Sequence, residues 1–429
     1  MANILDIDQK VVKDESIVEN ELFEYQPITG TQLNSAGQIT ITIENTDDYY
    51  HPHKSLLLIE GQLVKETGGG AYADGDLITL TNNALMYCFS NIKYTLAGME
   101  IESLNHPGFA TTMMGYCKYS TDFKKGSALN RCWYPDDGTT AHLTNNKGFG
   151  IRQAYIIKNP DPNGSFSFCV PLRHIFGFAE DYEWVMYGMR HTLTLVRTTD
   201  DNNALFRSAA AADGKIKFSK ISWLMPKVMP NDEWKFKLYK DIESKKILDV
   251  AFRMRQCEVV EVPSVTDYDW RLGARTAPEK PRYIIIGLQT DKNDDQKKNA
   301  ALFDSCKVTN MHVTMNNVRY PAQDVNSNFA QYKHALWYQM MTEFISKFYD
   351  LDELIAGNSI TPNAFNELFP LFVFDLSRQN ERLNQAIVDI TVKMKFSGAP
   401  EAKTRAYALM ISDRTVRLSS DGRKRNVLF

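Results

Sequence analysis

The sequence predicts an all-β fold of two tandem eight-stranded jelly-roll β-sandwiches, with a few short covering helices. Three observations predict it: the composition, about fifteen strand-like segments, and a duplication with a period of about 200 residues. The chain has 429 residues, of which 43% are hydrophobic and 24% charged, so it can bury one or two full cores. Aromatic residues make up 11% of the chain, and this enrichment favours strands.

Strand signals run along most of the chain. Residues 39–43 (ITITI) alternate isoleucine with threonine, as in a half-buried strand. Turn residues such as those at 68–70 and 159–162 separate most of these segments. Many short strands with few helices indicate sandwiches or barrels. The other predicted strands cover 55–64, 77–80, 87–95, 99–103, 154–158, 165–170, 192–196, 215–224, 247–262, 283–288, 307–315, 371–374, 386–396 and 406–411.

Two segments have helical periodicity. Residues 331–348 place Tyr338, Met341 and Ile345 on one face, with His334 on the same face. A weaker pattern covers 109–118. We interpret both as helices that cover the ends of sandwiches, and the methionine and aromatic stripe as core rather than a cofactor site. His334 is interpreted as a packed or hydrogen-bonded histidine rather than a ligand.

The most informative feature is an internal repeat. Residues 91–99 (NIKYTLAGM) align with residues 310–318 (NMHVTMNNV): Asn and Thr recur, and apolar positions alternate in step. Both segments place two turn-prone residues, at 97–98 and 316–317, before another strand, which is the pattern of a two-residue hairpin. A proline and a predicted helix follow each hairpin.

Two further matches occur downstream in the same order. Residues 168–172 correspond to 368–371, and the predicted strand at 191–196 corresponds to 389–394. Three matches in order predict a duplicated unit of about 200 residues, which suits a jelly roll better than the smaller immunoglobulin domain.

The repeat predicts where the chain divides. Two prolines between Met225 and Asp232 are expected to interrupt strand pairing, so this segment is the predicted linker. The predicted divisions are an N-terminal arm (1–30), a first jelly roll (31–228), a second jelly roll (229–416) and a C-terminal basic tail (417–429).

Several segments of the second unit resemble the double jelly-roll major capsid proteins of polintons and adintoviruses, a lineage shared with adenoviruses and tailless bacteriophages. The resemblance covers about residues 230–415, and in the first unit it depends on the repeat. The segments that carry it are 369–382 (FPLFVFDLSRQNER), 281–291 (PRYIIIGLQTD), 304–310 (DSCKVTN) and 407–414 (YALMISDR).

The resemblance implies a structural major capsid protein, without enzymatic activity or a cofactor. Such a protein forms homotrimeric, pseudo-hexagonal capsomers of an icosahedral DNA virus or virus-like element. The implied partners are further copies of the chain, penton proteins and minor capsid proteins. The implied location is the virion, assembled in the nucleus or cytoplasm of a host cell. The chain departs from the family in being compact, so outer towers should be short.

No catalytic, cofactor-binding or metal-binding residues are predicted. The acidic segment that begins at Asp291 lacks the glycine and glutamate of a calcium loop, because Gln296 and Leu302 occupy those positions. His51 and His53 have no third ligand at metal-site spacing. The six cysteines are scattered and are expected to be reduced thiols. No apolar run is long enough to span a membrane.

Both ends of the chain are charged. Residues 1–30 contain seven acidic and two basic residues and no signal peptide is expected there. Near the other end, three consecutive basic residues, 423–425, precede an apolar terminus. This tail is interpreted as a frayed end, a weak contact with packaged DNA, an import signal, or a strand that docks on a neighbour.

Two other functions remain open. A carbohydrate-binding or glycoside-cleaving sandwich would share the aromatic content and the architecture. A penton or minor capsid protein is the third class, although pentons usually have one jelly roll. The net charge of −3 predicts no overall basic surface for wrapping nucleic acid.

Overall fold

A computed structural model describes residues 15–28, 31–275, 280–316, 318–352, 354–355, 357–358, 360–378, 388–420 and 425–428. The remaining residues include 1–14 of the predicted arm, 421–424 of the predicted tail, and 379–387, where one family-like segment ends and one predicted strand begins.

The described residues form mainly β-strands. The strands of the first half are β1 (Ile17–Tyr25), β2 (Gly37–Ile43), β3 (Tyr49–Tyr50), β4 (Leu56–Lys65), β5 (Ile78–Leu80), β6 (Phe89–Leu96), β7 (Met99–Asn105), β8 (Ser165–Pro171), β9 (Met186–Tyr187), β10 (His191–Arg197), β11 (Leu205–Arg207) and β12 (Gly214–Pro230). The strands of the second half are β13 (Leu248–Glu261), β14 (Asp267–Arg275), β15 (Pro281–Thr290), β16 (Val308–Met315), β17 (Val318–Tyr320), β18 (Leu371–Asp375), β19 (Val388–Phe396), β20 (Thr404–Ser420) and β21 (Arg425–Leu428).

Helices are short and lie between the strands. They are α1 (Ala84–Tyr87), α2 (Pro107–Lys118), α3 (Thr121–Lys125), α4 (Lys147–Gln153), α5 (Gly177–Asp181), α6 (Asp232–Glu243), α7 (Ala335–Thr342), α8 (Phe344–Tyr349) and α9 (Pro362–Glu367). Single 3-10 turns occur at Pro52–Lys54, Leu129–Arg131, Leu172–His174, Asn202–Ala204 and Phe329–Gln331.

Two sandwiches with the same strand order follow one another along the chain. In the first, one sheet has the order β1-β12-β4-β8 and the other β2-β10-β6-β7; β3 and β9 extend the first sheet. In the second, the orders are β13-β20-β15-β18 and β14-β19-β16-β17, with β21 beside β20. Each half therefore pairs its main strands as first-eighth-third-sixth and second-seventh-fourth-fifth. This is a double jelly roll, and the predicted fold class is confirmed.

The internal repeat corresponds to equivalent strands. β6 and β16 are the fourth main strand of each roll, and each turns into the next strand through two residues. Ala97, Gly98 and Asn316 have φ values of 47°, 87° and 47°, as the tight turn requires. β10 and β19 are likewise the seventh strands. The match of 168–172 with 368–371 pairs the right strands, since β8 and β18 are the sixth strands of the two rolls. Its alignment is wrong, because Pro171 ends β8 whereas Pro370 precedes β18.

The expectation that two prolines interrupt strand pairing between Met225 and Asp232 is wrong. β12 passes through both prolines, and its register with β1 continues from Leu22 opposite Pro226 to Ile17 opposite Pro230. Pro226 still contributes its carbonyl, which accepts a hydrogen bond from the His51 amide at 3.0 Å. The strand ends at Pro230, and the side chain of the next residue, Asn231, caps α6 by accepting from the Trp234 amide at 2.9 Å. α6 was not predicted.

Other local predictions also need correction. The predicted strand at 154–158 is a π-helical turn, Ala154–Lys158, that continues α4 and buries both Ile156 and Ile157. The predicted helix at 331–348 starts only at Ala335, because Tyr332 has a left-handed φ of 55°, and it divides into α7 and α8. The predicted strand at 87–95 begins at Phe89, after α1.

The predicted ends of the chain contain parts of the sheets. The arm at 1–30 holds β1, which is the first strand of the first roll. β20 runs beyond residue 416 to Ser420, and β21 pairs with it. The interpretation of the tail as a frayed end is therefore wrong for Arg425–Leu428. These residues form β21, and the side chain of Val427 is buried. β14 was also missed.

The core of the first roll lies between its two sheets. Tyr94 of β6 and Trp223 of β12 meet edge to face with ring centroids 6.0 Å apart, and both are buried. His191 of β10 lies 2.7 Å from the Tyr94 hydroxyl. Burial lowers the His191 pKa to about 3, so the imidazole is neutral in this core.

The central strands of the second roll are buried on both faces, which explains their continuous apolar runs. One face packs in the second roll's own core. On the other face, Tyr407 of β20 stacks on Phe109 of α2 with ring centroids 4.1 Å apart. Tyr283 of β15 contacts Phe344 of α8 on the same face. Helices from both rolls therefore cover this sheet.

Gly177→Ala tests how tightly the rolls are packed. A Cβ at Gly177 would lie 1.7 Å from the carbonyl oxygen of Arg253 on β13, so the first roll would have to move off the second. We expect the free energy of unfolding to fall by at least about 3 kcal/mol, measured by denaturant titration. Gly398→Ala is the control, because its Cβ would meet nothing within 4 Å. Equal stability of the two variants would contradict the close contact.

Candidate functional site

The site of greatest structural consequence is the buried junction between the two rolls. Its central residue is Glu102 on β7, which has no exposed surface. One carboxylate oxygen accepts from the amides of Gly177 at 3.0 Å and Arg255 at 2.8 Å, and the other accepts from Phe178 at 2.9 Å. Gly177 and Phe178 belong to α5 of the first roll, whereas Arg255 belongs to β13 of the second.

The surroundings of Glu102 shift its pKa in two opposite directions. Burial raises its pKa to about 7, while the positive charge of Arg255 and the three amide hydrogen bonds act in the opposite direction. Because its partners are backbone groups, the carboxylate fixes the position of β13 against β7 and α5. Its role here is structural.

An ion cluster lies beside Glu102. Glu180 of α5 pairs with Lys118 of α2 and Arg255 of β13, and it accepts a hydrogen bond from the Tyr349 hydroxyl at 2.8 Å. Burial raises the pKa of Glu180, but the charges of Lys118 and Arg255 outweigh burial and bring it to about 2. Burial lowers the Lys118 pKa to about 8. The cluster therefore joins α2, α5 and α8 to β13.

A second ion pair extends the junction. Arg253 donates from Nε to Asp181 Oδ2 at 2.9 Å and from Nη2 to Asp181 Oδ1 at 2.6 Å. Its Nη1 donates to the carbonyl of Phe348 at 2.6 Å, and the Phe348 ring lies 3.7 Å from the guanidinium carbon. A bidentate arginine fixes orientation as well as distance.

The segment between β15 and β16, residues 291–307, also makes polar contacts with the first roll. The hydroxyls of Tyr87 and Tyr116 donate to the carbonyls of Ala300 and Ala301 at 3.1 Å and 3.0 Å. Asn299 donates to Asp136 at 2.9 Å, and Asp136 also pairs with the buried Arg152. In this segment Gln296 donates to the Gly214 carbonyl at 2.8 Å, Asp291 pairs with Lys403, and Asp294 pairs with Arg405.

The residues weighed as metal ligands have other partners. His51 Nε2 lies 2.9 Å from the Glu183 carbonyl, and His53 Nδ1 lies 2.9 Å from the Ala179 carbonyl. His334 stacks on Phe329, and neither of its ring nitrogens has a hydrogen-bond partner among the described residues. All six cysteines are free thiols. Within the described ranges, no group of His, Cys, Asp and Glu side chains could hold a metal ion.

The exposed surface has an apolar region around α6, which we call the α6 patch. Phe236 is 74% exposed and Trp184 72% exposed. Trp184 and Trp234 line a groove of about 540 Å³ together with Ile17 of β1. We use the name α6 patch for the exposed apolar side chains of the groove and of α6 itself, of which the last two lie outside the groove: Ile17, Trp184, Trp234, Phe236 and Tyr239. Exposed apolar regions of this kind mark contacts with other molecules.

The strand β1 adds an open sheet edge beside the α6 patch. Among the described residues it pairs with β12 alone, and eight of its nine residues are exposed. Unpaired edges of this length are templates for pairing with another chain. Sequence reasoning missed β1 and α6, although the exposed aromatic residues of 232–243 are visible in the sequence. Within the described residues, no helix is both long and apolar enough to cross a membrane.

Glu180→Gln tests the ion cluster. It leaves Lys118 and Arg255 without their shared charge, so the free energy of unfolding at pH 7 should fall by about 3 kcal/mol. The folded pKa of about 2 lies below the ordinary 4.5, so the stabilisation by Glu180 is complete above pH 4.5 and is lost as the pH falls toward 2. Urea titrations across this range should show the two proteins converging at low pH.

Glu261→Gln, at the exposed end of β13, is the matched control and should leave the pH profile unchanged. Parallel pH profiles for Glu180→Gln and the original protein would contradict the ion cluster's role.

Comparison with known proteins gives the same architecture. No curated protein matched the sequence. A chain of the Sputnik virophage structure has a TM-score of 0.65 at 10% identity, over 100% of this chain and 91% of that one. The faustovirus major capsid protein has a TM-score of 0.58 at 10% identity, over 96% and 92% of the two chains. The mavirus major capsid protein has a TM-score of 0.55 at 11% identity, over 100% and 93%.

These likenesses establish the fold alone, because each sequence identity is far below the level at which two proteins can be expected to share a function. The family model described as "double jelly roll-like domain" matches residues 78–416, which is well over half of the chain and includes main strands of both rolls. With the strand order found in each half, this match means that the chain belongs to the double jelly roll-like domain family.

Proposed function

We propose that this chain is the major capsid protein of an icosahedral DNA virus or virus-like element, with a structural and not an enzymatic role. The observation that carries the proposal is the identical strand order of two rolls joined by a buried junction. The likeness to the major capsid proteins of faustovirus and mavirus supports it.

The proposed building block is a homotrimer. Three chains around a threefold axis present six sandwiches of the same topology, and this gives a pseudo-hexagonal outline that can tile a closed shell. The outline requires the two rolls of a chain to hold one fixed relation, and the contacts of Glu102, Glu180 and Arg253 provide it. An obligate trimer interface should bury more than about 2,000 Å².

The finer assignment rests on the sequence resemblance to polinton and adintovirus capsid proteins. We place the chain in the virion, with its own copies, penton proteins and minor capsid proteins as partners. The domain division at about residue 228 is part of the same proposal. A weak contact of the basic residues 423–425 with packaged DNA is also proposed; Arg425 itself is largely buried in β21.

The carbohydrate alternative has no comparable support. A glycosidase needs two carboxylates flanking a cleft. Glu180 and Glu183 line the same junction cavity, but Glu180 is already bound by Lys118 and Arg255.

Native mass spectrometry of the purified chain tests the trimer. We expect a main species at three times the chain mass of 49.0 kDa, because the proposed interface is obligate. A protein that stays monomeric at micromolar concentration across salt and pH conditions, or that forms pentamers, would refute the proposal.

Phe236→Ser tests the α6 patch as a contact between copies. Because Phe236 is 74% exposed, its loss should leave the stability of one chain nearly unchanged while weakening association at least tenfold. Val265→Ser, which removes an apolar side chain that is 43% exposed outside the patch, is the control. Analytical ultracentrifugation measures association; if Phe236→Ser associates like the control, the patch is not such a contact.

A further inference from the structure

A large cavity lies where the two rolls meet, beside the ion cluster of Glu180. Its volume is about 770 Å³, within the range of small-molecule sites. The first roll contributes Lys54, Lys118 and Arg173 to its wall, and the second contributes Tyr349 and Leu351. A molecule in this junction cavity would therefore touch both rolls.

The cavity wall has more cations than carboxylates to pair with them. Lys118 shares Glu180 with Arg255. Lys54 and Arg173 have no carboxylate partner among the described residues, although both line the cavity. With Glu180 and Glu183 as the lining carboxylates, the three cations still leave the wall with a net positive charge, which favours an anion.

The pKa of His174 is lowered by these positive charges in addition to burial. Its Nε2 atom is buried without a hydrogen-bond partner among the described residues. Burial lowers the His174 pKa well below its usual value, and the charges of Arg131, Lys118 and Arg173 lower it further. Arg131 is itself buried, and its Nε and Nη1 atoms have no hydrogen-bond partner in the described part of the chain. Its guanidinium carbon lies 4.7 Å from the centre of the Phe123 ring.

The wall also has an aromatic and apolar part, in addition to the polar side chains of His51, His53 and Ser120. Tyr119, Phe123 and Tyr349 present rings to the cavity, and Ile345 and Leu351 add aliphatic surface. A bare inorganic anion would use only the cationic side, whereas a ligand with a ring could also pack against these side chains.

We propose that the junction cavity binds an organic phosphate of nucleotide size. Its phosphates would contact Lys54, Arg173 and Lys118, and its aromatic body would pack against Tyr349, Ile345 and Leu351. Arginine suits this role because its planar guanidinium matches phosphate oxygens in two-point contacts. Such a ligand ties the first roll to the second and adds to the stability of the junction.

Isothermal titration calorimetry with three probes tests the proposal on the purified, assembled protein. Adenosine triphosphate carries both parts, inorganic triphosphate only the charge, and adenosine only the ring. We expect adenosine triphosphate to bind at least tenfold more tightly than either of the others. Equal affinities for adenosine triphosphate and inorganic triphosphate would overturn the aromatic part of the site, and no binding of either would overturn the site itself.

A paired variant locates the binding. Lys54→Gln with Arg173→Gln removes two cations that have no carboxylate partner among the described residues, so the fold should survive while adenosine triphosphate binds at least tenfold more weakly. Arg271→Gln with Lys395→Gln is the matched control, because it removes the same charge from exposed positions on β14 and β19. Affinity within twofold of the original protein for the Lys54 and Arg173 variant would place the ligand elsewhere and overturn the proposal.

Thermal unfolding gives a second readout, since a ligand that binds only the folded state raises Tm. Adenosine triphosphate should raise Tm for the original protein and for the control variant. It should not do so for the Lys54 and Arg173 variant; an equal rise in that variant would contradict the site.

Discussion

Glu102 is a carboxylate with no exposed surface, and burying a charge costs several kcal/mol unless its oxygens are satisfied. Its three partners are main-chain amides, two from the first roll and one from the second. Side chains can follow a sliding partner by changing rotamer, but main-chain amides cannot. The two α5 amides hold the carboxyl group of Glu102 in place, so a shift of β13 along α5 would break its bond to the Arg255 amide. The need to satisfy this buried carboxyl group therefore favours one relative position of the rolls.

The other contacts at the junction depend on this relative position of the two rolls. Gly177 is needed because the Arg253 carbonyl comes too close for any side chain. Phe109 stacks on Tyr407, which packs α2 of the first roll against the second roll's sheet. Two rolls with one strand order and one fixed relation form a rigid block with internal pseudo-symmetry. This is the property that a pseudo-hexagonal capsomer requires.

The sequence predicts the parts of this fold that depend on local patterns. Alternation around Asn91 and Asn310 identified equivalent strands, because a strand's side chains alternate wherever one face is buried. It failed at Ala154–Lys158, where β-branched residues continue a helix that Asn146 has already capped. It also failed at Pro226, which β12 accommodates because β4 pairs with β12 only as far as Leu224 and β3 pairs from Lys227, while β1 continues along the other edge.

The junction itself was beyond prediction, because Glu102 is one of 52 acidic residues and its partner Arg255 lies 153 residues away. Electron cryomicroscopy of the purified, assembled protein tests the central claim most directly. The account predicts threefold particles in which six jelly rolls form a near-hexagonal outline, with the two rolls of each chain in the relation set by Glu102. Particles with fivefold symmetry, or single chains whose two rolls take up varied relative positions, would contradict it.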